Sequence, residues 1–582
     1  MQNQDLQNLK PSKYMFFTGK GGVGKTSVAC AIAVSLSDKG KKVLLISTDP
    51  ASNLQDVFET ELNSRGVKIP SVPNLMVANL DPIKAAAEYK ESVVSPYRGK
   101  LPDEVIRNME EQLSGACTVE IAAFNEFSAF LADKEIARKY DHIIFDTAPT
   151  GHTLRMLQLP SAWSSFISEN THGASCLGQL SGLEDKKDLY KRAVETLSDS
   201  SLTTLMLVST PESTPLAEAA RASKELRELG VNNQILLINS VLVTYSKDDK
   251  TEKAFYDKQQ IALFNMPKEL RGLLIYKIPL RAYNIIGIRN IRALLKTDMT
   301  IESDARRELN IENSLSDVVE DIYNSNIKVI LTMGKGGVGK TSIAAAIALE
   351  LSKKGKRVHL ATTDPAAHLK YVISERENIT VSNIDEENEL AKYRDEVLLK
   401  ARETMGGDDI AYIEEDLRSP CTQEIAVFKA FANIVERSEH EVVVIDTAPT
   451  GHTLLLLDAA QSYHREVKRT QGEVAESVKK LLPRLRNAAE TQVIIVTLPE
   501  ATPVLEAMRL AEDLKRAEIK SKWWIINKSM HKAETRSSFL KAKGANETAW
   551  IQKVAEISNG SFAVIPWVSG EINDKTLSNM LS

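Results

Sequence analysis

Short apolar runs, each closed by a polar or glycine-rich turn and followed by a helix-like stretch, recur along the whole chain. Tyr14 to Phe17 is the first such run, and the alanine-rich stretch Val28 to Leu36 behind it reads as a helix. A second run, Lys41 to Asp49, ends on an acidic residue, as does a third, Asp141 to Asp146. Thr204 to Val208, Ile235 to Ile238 and Ile278-Pro279 follow, while Leu101-Pro102-Asp103-Glu104 opens a helix with an acidic first turn. Apolar runs without alternation mark strands buried on both faces. From Val329 the pattern starts again: strand Val329 to Leu331, helix Ile343 to Leu351, then strands at Arg357 to Asp364, Glu441 to Asp446, Thr491 to Val496, Trp524 to Ile526 and Ile565-Pro566. Strands alternating with helices predict an α/β fold: two tandem doubly wound, mainly parallel sheets.

The two copies drift in register. Their offset is 315 residues at a glycine-rich loop, 304 at Cys117 and Cys421, 300 at Asp146 and Asp446, and 288 at Pro211-Glu212 and Pro499-Glu500. The first copy therefore carries extra residues between 146 and 211, where His172 to Gly178, with Cys176, has no counterpart. The expected division is a half at 1–296, a polar linker at 297–325 and a half at 326–582.

Composition narrows the function classes. With 43% hydrophobic and 26% charged residues the chain reads as a globular protein, and a net charge of −5 argues against a nucleic-acid scaffold. No run approaches the roughly 18 apolar residues of a membrane span. The N-terminus, Met1 to Lys10, is polar, so the expected location is cytoplasmic. Four cysteines are too few and too scattered for a disulfide framework.

The chemistry sits at the strand ends. Gly19-Lys20-Gly21-Gly22-Val23-Gly24-Lys25-Thr26 returns letter for letter as Gly334-Lys335-Gly336-Gly337-Val338-Gly339-Lys340-Thr341. Each fits the phosphate-loop pattern, in which glycines let backbone N–H groups curl round a phosphate at a helix N-terminus. Lys25 and Lys340 would reach β/γ-phosphate oxygens, and Thr26 and Thr341 would offer hydroxyls to Mg²⁺. The chain is thus expected to bind two nucleoside triphosphates. Asp49 and Asp364 each follow the loop lysine by 24 residues, either as site carboxylates or as helix N-caps before a proline. Asp146 to Leu154 is identical to Asp446 to Leu454, and an apolar strand ending in Asp is what a phosphate-loop enzyme uses to hold Mg²⁺ or its water. Asn239 and Asn527 close later strands, where each suits a base edge or a turn equally. Cys117 and Cys421 stand at matched loop-to-helix junctions, where the helix dipole favours a thiolate.

Lys20 and Lys335, one position after the first glycine, resemble the signature lysine of the deviant phosphate-loop ATPases. With the Thr-Asp-Pro-Ala and Asp-Thr-Ala-Pro-Thr-Gly-His-Thr-Leu segments, the chain looks like the ArsA/GET3 branch of that group. Its tandem duplication and the Cys-Thr-x-Glu-Ile-Ala pair are similar to the arsenical-pump members. The resemblance implies an ATPase activated by trivalent arsenite or antimonite that energises a separate integral membrane carrier (ArsB-like), a possible ArsD-like metallochaperone, and peripheral association with the inner face of the membrane. It implies that Lys20 and Lys335 act in trans across a pseudo-two-fold interface. Asp49 and Asp364 would position water or the metal shell, and Asp146 and Asp446 would sense Mg²⁺ and the γ-phosphate. Cys117, Cys176 and Cys421 would bind As(III) or Sb(III), with His152 and His452 beside them. Three thiolates suit a soft trivalent ion better than Zn²⁺, which takes four ligands in a closed site. Cys30, matched by Ala345, reads as packing.

Two rival readings remain. A GET3-like factor for tail-anchored membrane proteins would resemble one half, and its eukaryotic members carry a Cys-x-x-Cys zinc pair that this chain lacks. A positioning ATPase of the MinD type would want a C-terminal amphipathic helix, for which Thr576 to Ser582 is too short and polar.

Overall fold

The computed structural model describes residues 9–49, 53–113, 116–147, 187–296, 313–363, 377–404, 420–447, 476–569 and 573–581, together with 309, 311, 373, 410, 413, 414 and 417. The first half supplies β1 (Tyr14–Thr18), β2 (Val43–Ser47), β3 (Val67–Lys68), β4 (Leu75–Asn79), β5 (His142–Asp146), β6 (Thr203–Ser209), β7 (Gln234–Val241) and β8 (Leu274–Pro279). The second supplies β9 (Val329–Met333), β10 (Val358–Thr362), β11 (Ile379–Asn383), β12 (Val442–Asp446), β13 (Thr491–Thr497), β14 (Ser521–Ser529) and β15 (Phe562–Pro566).

The strand orders are β3-β4-β2-β5-β1-β6-β7-β8 and β11-β10-β12-β9-β13-β14-β15. Every pairing is parallel except that of β3 with β4. The expected tandem α/β architecture is therefore the observed one. β1 and β9 lie mid-sheet, where the strand order reverses, and this switch point is where such folds open a crevice for ligands.

Packing explains why the runs lack alternation. On one face of the first sheet lies the helix Lys25–Asp38, whose Val28, Ala29, Cys30 and Ala33 are fully buried against Met15, Phe17 and Leu45. On the other face lie the helices Ala116–Ala132 and Ser213–Glu228. Phe16 and Phe145 stack at 4.5 Å, and Phe127 meets Phe145 edge-on at 5.2 Å. Such pairs add about 0.5–1.5 kcal/mol beyond their burial and seat the helix that carries Cys117 on β1 and β5.

The stretch 297–325 is not all connector. Leu315–Asn324 form a helix with a Ser314/Asp317 capping box, and Leu315, Val318, Val319 and Ile322 enter the core of the second half. Between the halves, Asp249 Oδ2 accepts from Thr535 Oγ1 at 2.8 Å, from Ser537 N at 3.0 Å and from Arg536 N. Phe255 also packs on Trp567, with centroids 5.2 Å apart.

Candidate functional site

Both phosphate loops leave the carboxyl ends of the central strands and run into the buried helices Lys25–Asp38 and Lys340–Lys353. The glycines are sterically required. Gly19 has φ +152, and a β-carbon there would lie 2.1 Å from Val208 O; at Gly334, with φ +150, it would meet Val496 O at 2.1 Å. Gly24 and Gly339, at φ +87 and +95, turn the chain in the left-handed region just before each helix begins.

Lys25 and Lys340 are buried and curl back over their loops. Lys25 Nζ donates to Gly19 O at 3.0 Å and Lys20 O at 3.3 Å, and Lys340 Nζ donates to Lys335 O at 3.2 Å. Burial pushes the Lys25 pKa down, Asp146 and Asp49 push it back up, and Lys335 of the second half presses it down again. The charge of the second half's loop lysine is thus felt at the first half's site.

Thr26 Oγ1 donates to Asp146 Oδ2 at 2.7 Å, and Thr341 Oγ1 to Asp446 Oδ2 at 2.6 Å. Thr362 Oγ1 adds a 3.3 Å bond to the same Asp446 oxygen. Asp146 is 2% exposed and its Oδ1 has no hydrogen-bond partner among the described residues. Burial raises its pKa to about 6, against the opposing pull of Thr26 and Lys25. A buried carboxylate oxygen left open beside a threonine hydroxyl fits a hard divalent cation with oxygen ligands such as Mg²⁺. Thr147 and Thr447 then fix the chain beyond each Asp, their hydroxyls donating to Phe17 O and Thr332 O at 2.8 Å. Asp49 stands two residues past β2, with its N–H on Ser47 Oγ at 3.2 Å.

The asparagine amides face the loops. Asn239 Nδ2 donates to Val23 O and Asn527 Nδ2 to Val338 O, both at 2.9 Å, and Asn527 Oδ1 accepts from Lys528 N. Each side chain sits where a β-carbon on Gly24 or Gly339 would otherwise go.

The two loops meet head-on. A β-carbon on Gly21 would stand 2.9 Å from Gly336 Cα, and one on Gly22 2.6 Å from Gly336 O. Beside this contact a network unread in the sequence crosses the interface. Glu506 accepts from Lys335 on its own half and from Asn53 on the other, while Arg509 pairs with Asp56 and donates to Asn53 Oδ1 at 3.3 Å. Asn53 lies four residues past Asp49, so the network ties the first half's site to the second half's loop lysine. The available signal was the repeated Glu-Ala of Glu218 and Glu506, each three residues before an arginine. Glu212 faces Lys528 of the other half at 3.8 Å, and that lysine is the main reason its pKa lies below the usual carboxylate range.

A family description, anion-transporting ATPase, matches residues 12–299, 327–481 and 466–579. The chain belongs to the anion-transporting ATPase family. A member of this family is an ATP hydrolase, which agrees with two facing phosphate loops. The chain is 46% identical over 573 residues to the arsenical pump-driving ATPase of Escherichia coli, covering 98% of each. It is 47% identical over 577 residues to the protein of that name in Acidiphilium multivorum, covering 97% of each. The ATPase GET3 of Komagataella phaffii is 28% identical over 314 residues, half of this chain and 91% of its own length.

Of the residues expected to bind a metalloid, Cys117 and Cys421 each stand second in a helix, Ala116–Ala132 and Pro420–Glu436, and the two helices approach one another across the interface. Cys176, His152, His452 and Asp364 lie outside the described residues. Cys30 is fully buried, and burial raises its thiol well above the ordinary value, in keeping with a packing role.

Proposed function

We propose that this chain is the ATP-hydrolysing motor of an arsenical efflux pump, activated when As(III) or Sb(III) binds between its halves. The observation that carries the reading is the direct contact of the two phosphate loops, with Lys335 beside the first site, inside a chain that matches arsenical pump-driving ATPases end to end. Within the division 1–296, 297–325 and 326–582, the segment 315–324 belongs with the second half. ATP would lie in each loop, with Lys25 and Lys340 on its phosphates. Mg²⁺ would be held by Thr26 and Asp146, and by Thr341 and Asp446, to neutralise charge on the β/γ-phosphates. Lys20 and Lys335 would stabilise the transferring phosphoryl group from across the interface, and Asp49 and Asp364 would orient the attacking water. Asn239 and Asn527 would shape the loop, with any base contact made beyond it.

Cys117, Cys176 and Cys421 would bind the metalloid, with His152 and His452 linking it to the segments after Asp146 and Asp446. A ligand between the halves favours closure only by binding the closed state better, so nucleotide must tighten metalloid binding in return. Joining the halves in one chain makes closure intramolecular. Among the described residues no helix is long and apolar enough to cross a membrane. The pore is therefore assigned to an ArsB-like carrier that holds this ATPase at the inner membrane face, with an ArsD-like metallochaperone as a further partner. Hydrolysis by the purified protein with and without arsenite or antimonite tests the reading, and turnover indifferent to both would refute it.

A further inference from the structure

The two halves differ at the amino-terminal edge of their sheets, far from the nucleotide loops. In the first half this edge is plugged. Gln234 Oε1 accepts from Ser223 Oγ at 2.6 Å, and its Nε2 donates to Ser223 O at 3.1 Å and Val231 O at 2.8 Å. Asn233 Nδ2 closes the rest, on Thr203 O at 3.0 Å and Thr204 Oγ1 at 2.8 Å. At the 288-residue offset, Ser223 becomes Ala511, Asn233 becomes Ser521 and Gln234 becomes Lys522. β14 also bulges at Lys522, since Val493 pairs with Ser521 but Ile494 with Trp523. A bulge re-aims its side chain. Lys522 accordingly pairs with Asp321 at 2.7 Å and lines the space rather than closing it as Gln234 does.

A cavity of about 740 Å³ is left, walled by Thr491, Ala511, Lys515, Ile519, Lys520 and Ser521 among others. Its lining mixes apolar and polar surface and carries Lys515, Lys520 and Lys522. Glu518, the carboxylate on its rim, is engaged by Arg486 at 3.4 Å, which leaves Lys515 and Lys520 to set the sign of the field. A space of this size lies within the range of small-molecule sites.

We propose that this cavity on the second half is an accessory binding site for a small oxyanion, a carboxylate-bearing metabolite or inorganic phosphate. Lys515 and Lys520 attract the anion, and the Ser521 hydroxyl donates to its oxygens. The duplicated fold lost a three-residue plug and gained a pocket without disturbing the nucleotide edge.

Rebuilding the plug tests this. Thermal unfolding of the full chain is followed in citrate, in inorganic phosphate and in sodium chloride of matched ionic strength. The wild type is compared with the triple variant Ala511→Ser, Ser521→Asn, Lys522→Gln and with the surface variant Lys515→Ala, Lys520→Ala. Phosphate also reaches the nucleotide loops, and both anions stabilise proteins generally, so the readout is the difference between proteins. At several-fold excess over its dissociation constant, a specific anion should raise the wild-type midpoint about 2–4 °C more than either variant's. A citrate-only difference identifies a carboxylate ligand, and a phosphate-only difference identifies phosphate. Equal shifts in all three proteins overturn the proposal. If the triple variant folds poorly, the surface variant alone decides, because it leaves the packing intact.

Discussion

Gly21 and Gly336 occupy each other's side-chain space. A methyl group on Gly21 would fall 2.9 Å from the Gly336 α-carbon, and one on Gly336 3.0 Å from that of Gly21. The opposing atoms are backbone and cannot swing aside, so the approach of the two halves depends on both positions lacking a side chain.

Gly21→Ala should therefore hold the loops apart while each still binds its own phosphates. Misplacing reacting groups by a fraction of an ångström to an ångström costs up to about 10²-fold in rate. Metalloid-stimulated turnover should fall by about 10- to 100-fold with nucleotide affinity largely kept. Steady-state hydrolysis and equilibrium binding of a fluorescent ATP analogue check this, and wild-type turnover would mean that loop contact is dispensable.

Lys335→Ala removes a cation from the first half's site without touching that half. A cross-interface cation is worth about 10³- to 10⁵-fold elsewhere in phosphoryl transfer. Stimulated hydrolysis should drop by on the order of 10³-fold, whereas Glu506→Gln, which releases Lys335 but keeps its charge, should cost far less. Equal losses in single-turnover assays would make Lys335 a structural partner of Glu506 and no more.

The loops, the carboxylates closing β5 and β12 and the individual strands were legible because each is local: glycine spacing, a terminal carboxylate, an unalternating run. Asn53, Glu506 and Arg509 were not, because their meaning arises between residues 453 or more positions apart. The helix Leu315–Asn324 did carry a signal, the Ser314/Asp317 box before an apolar spacing of three and four. Its charged flanks masked it, and the whole stretch read as linker. Asn239 shows the opposite case: read as closing a strand, it lies two residues inside the end of β7, and which way the amide faced was settled by Gly24 leaving room for it.

Substituting serine for Cys117, Cys176 or Cys421 singly should weaken metalloid activation and leave basal ATP binding, and Cys30→Ser should change neither. The triple Cys117/Cys176/Cys421→Ser protein should show no activation by antimonite in a coupled ATPase assay. Activation that survives the triple change would sink the thiolate site.

His359 gives the second half a pH dependence of its own. It is 1% exposed in β10, its ring nitrogens engaged with Thr380 Oγ1 at 2.7 Å and Ser382 Oγ at 2.8 Å. Burial, helped by Arg437, lowers its pKa from 6.5 to about 4. The folded state prefers the neutral ring, so its contribution is present above the unfolded pKa and lost as pH falls from about 6.5 to about 4, by roughly 2–3 kcal/mol in all. His359→Leu, which copies Leu44 of the first half, should flatten that part of the stability curve in urea titrations. An unchanged slope would assign the dependence to other groups.

The contact at Asp249 is unlike on its two sides. It receives donors from Thr535, Arg536 and Ser537, and Ser537 is its own counterpart, each residue capping the same helix of its half. Two first halves brought together in this way would set one Asp249 carboxylate against another, and two second halves would meet serine to serine with no carboxylate. The mixed pair sets a single carboxylate opposite the Thr535 hydroxyl and two N–H groups. A chain that carries both halves thus always supplies the unlike pair, and the tether is joined by a complementary contact.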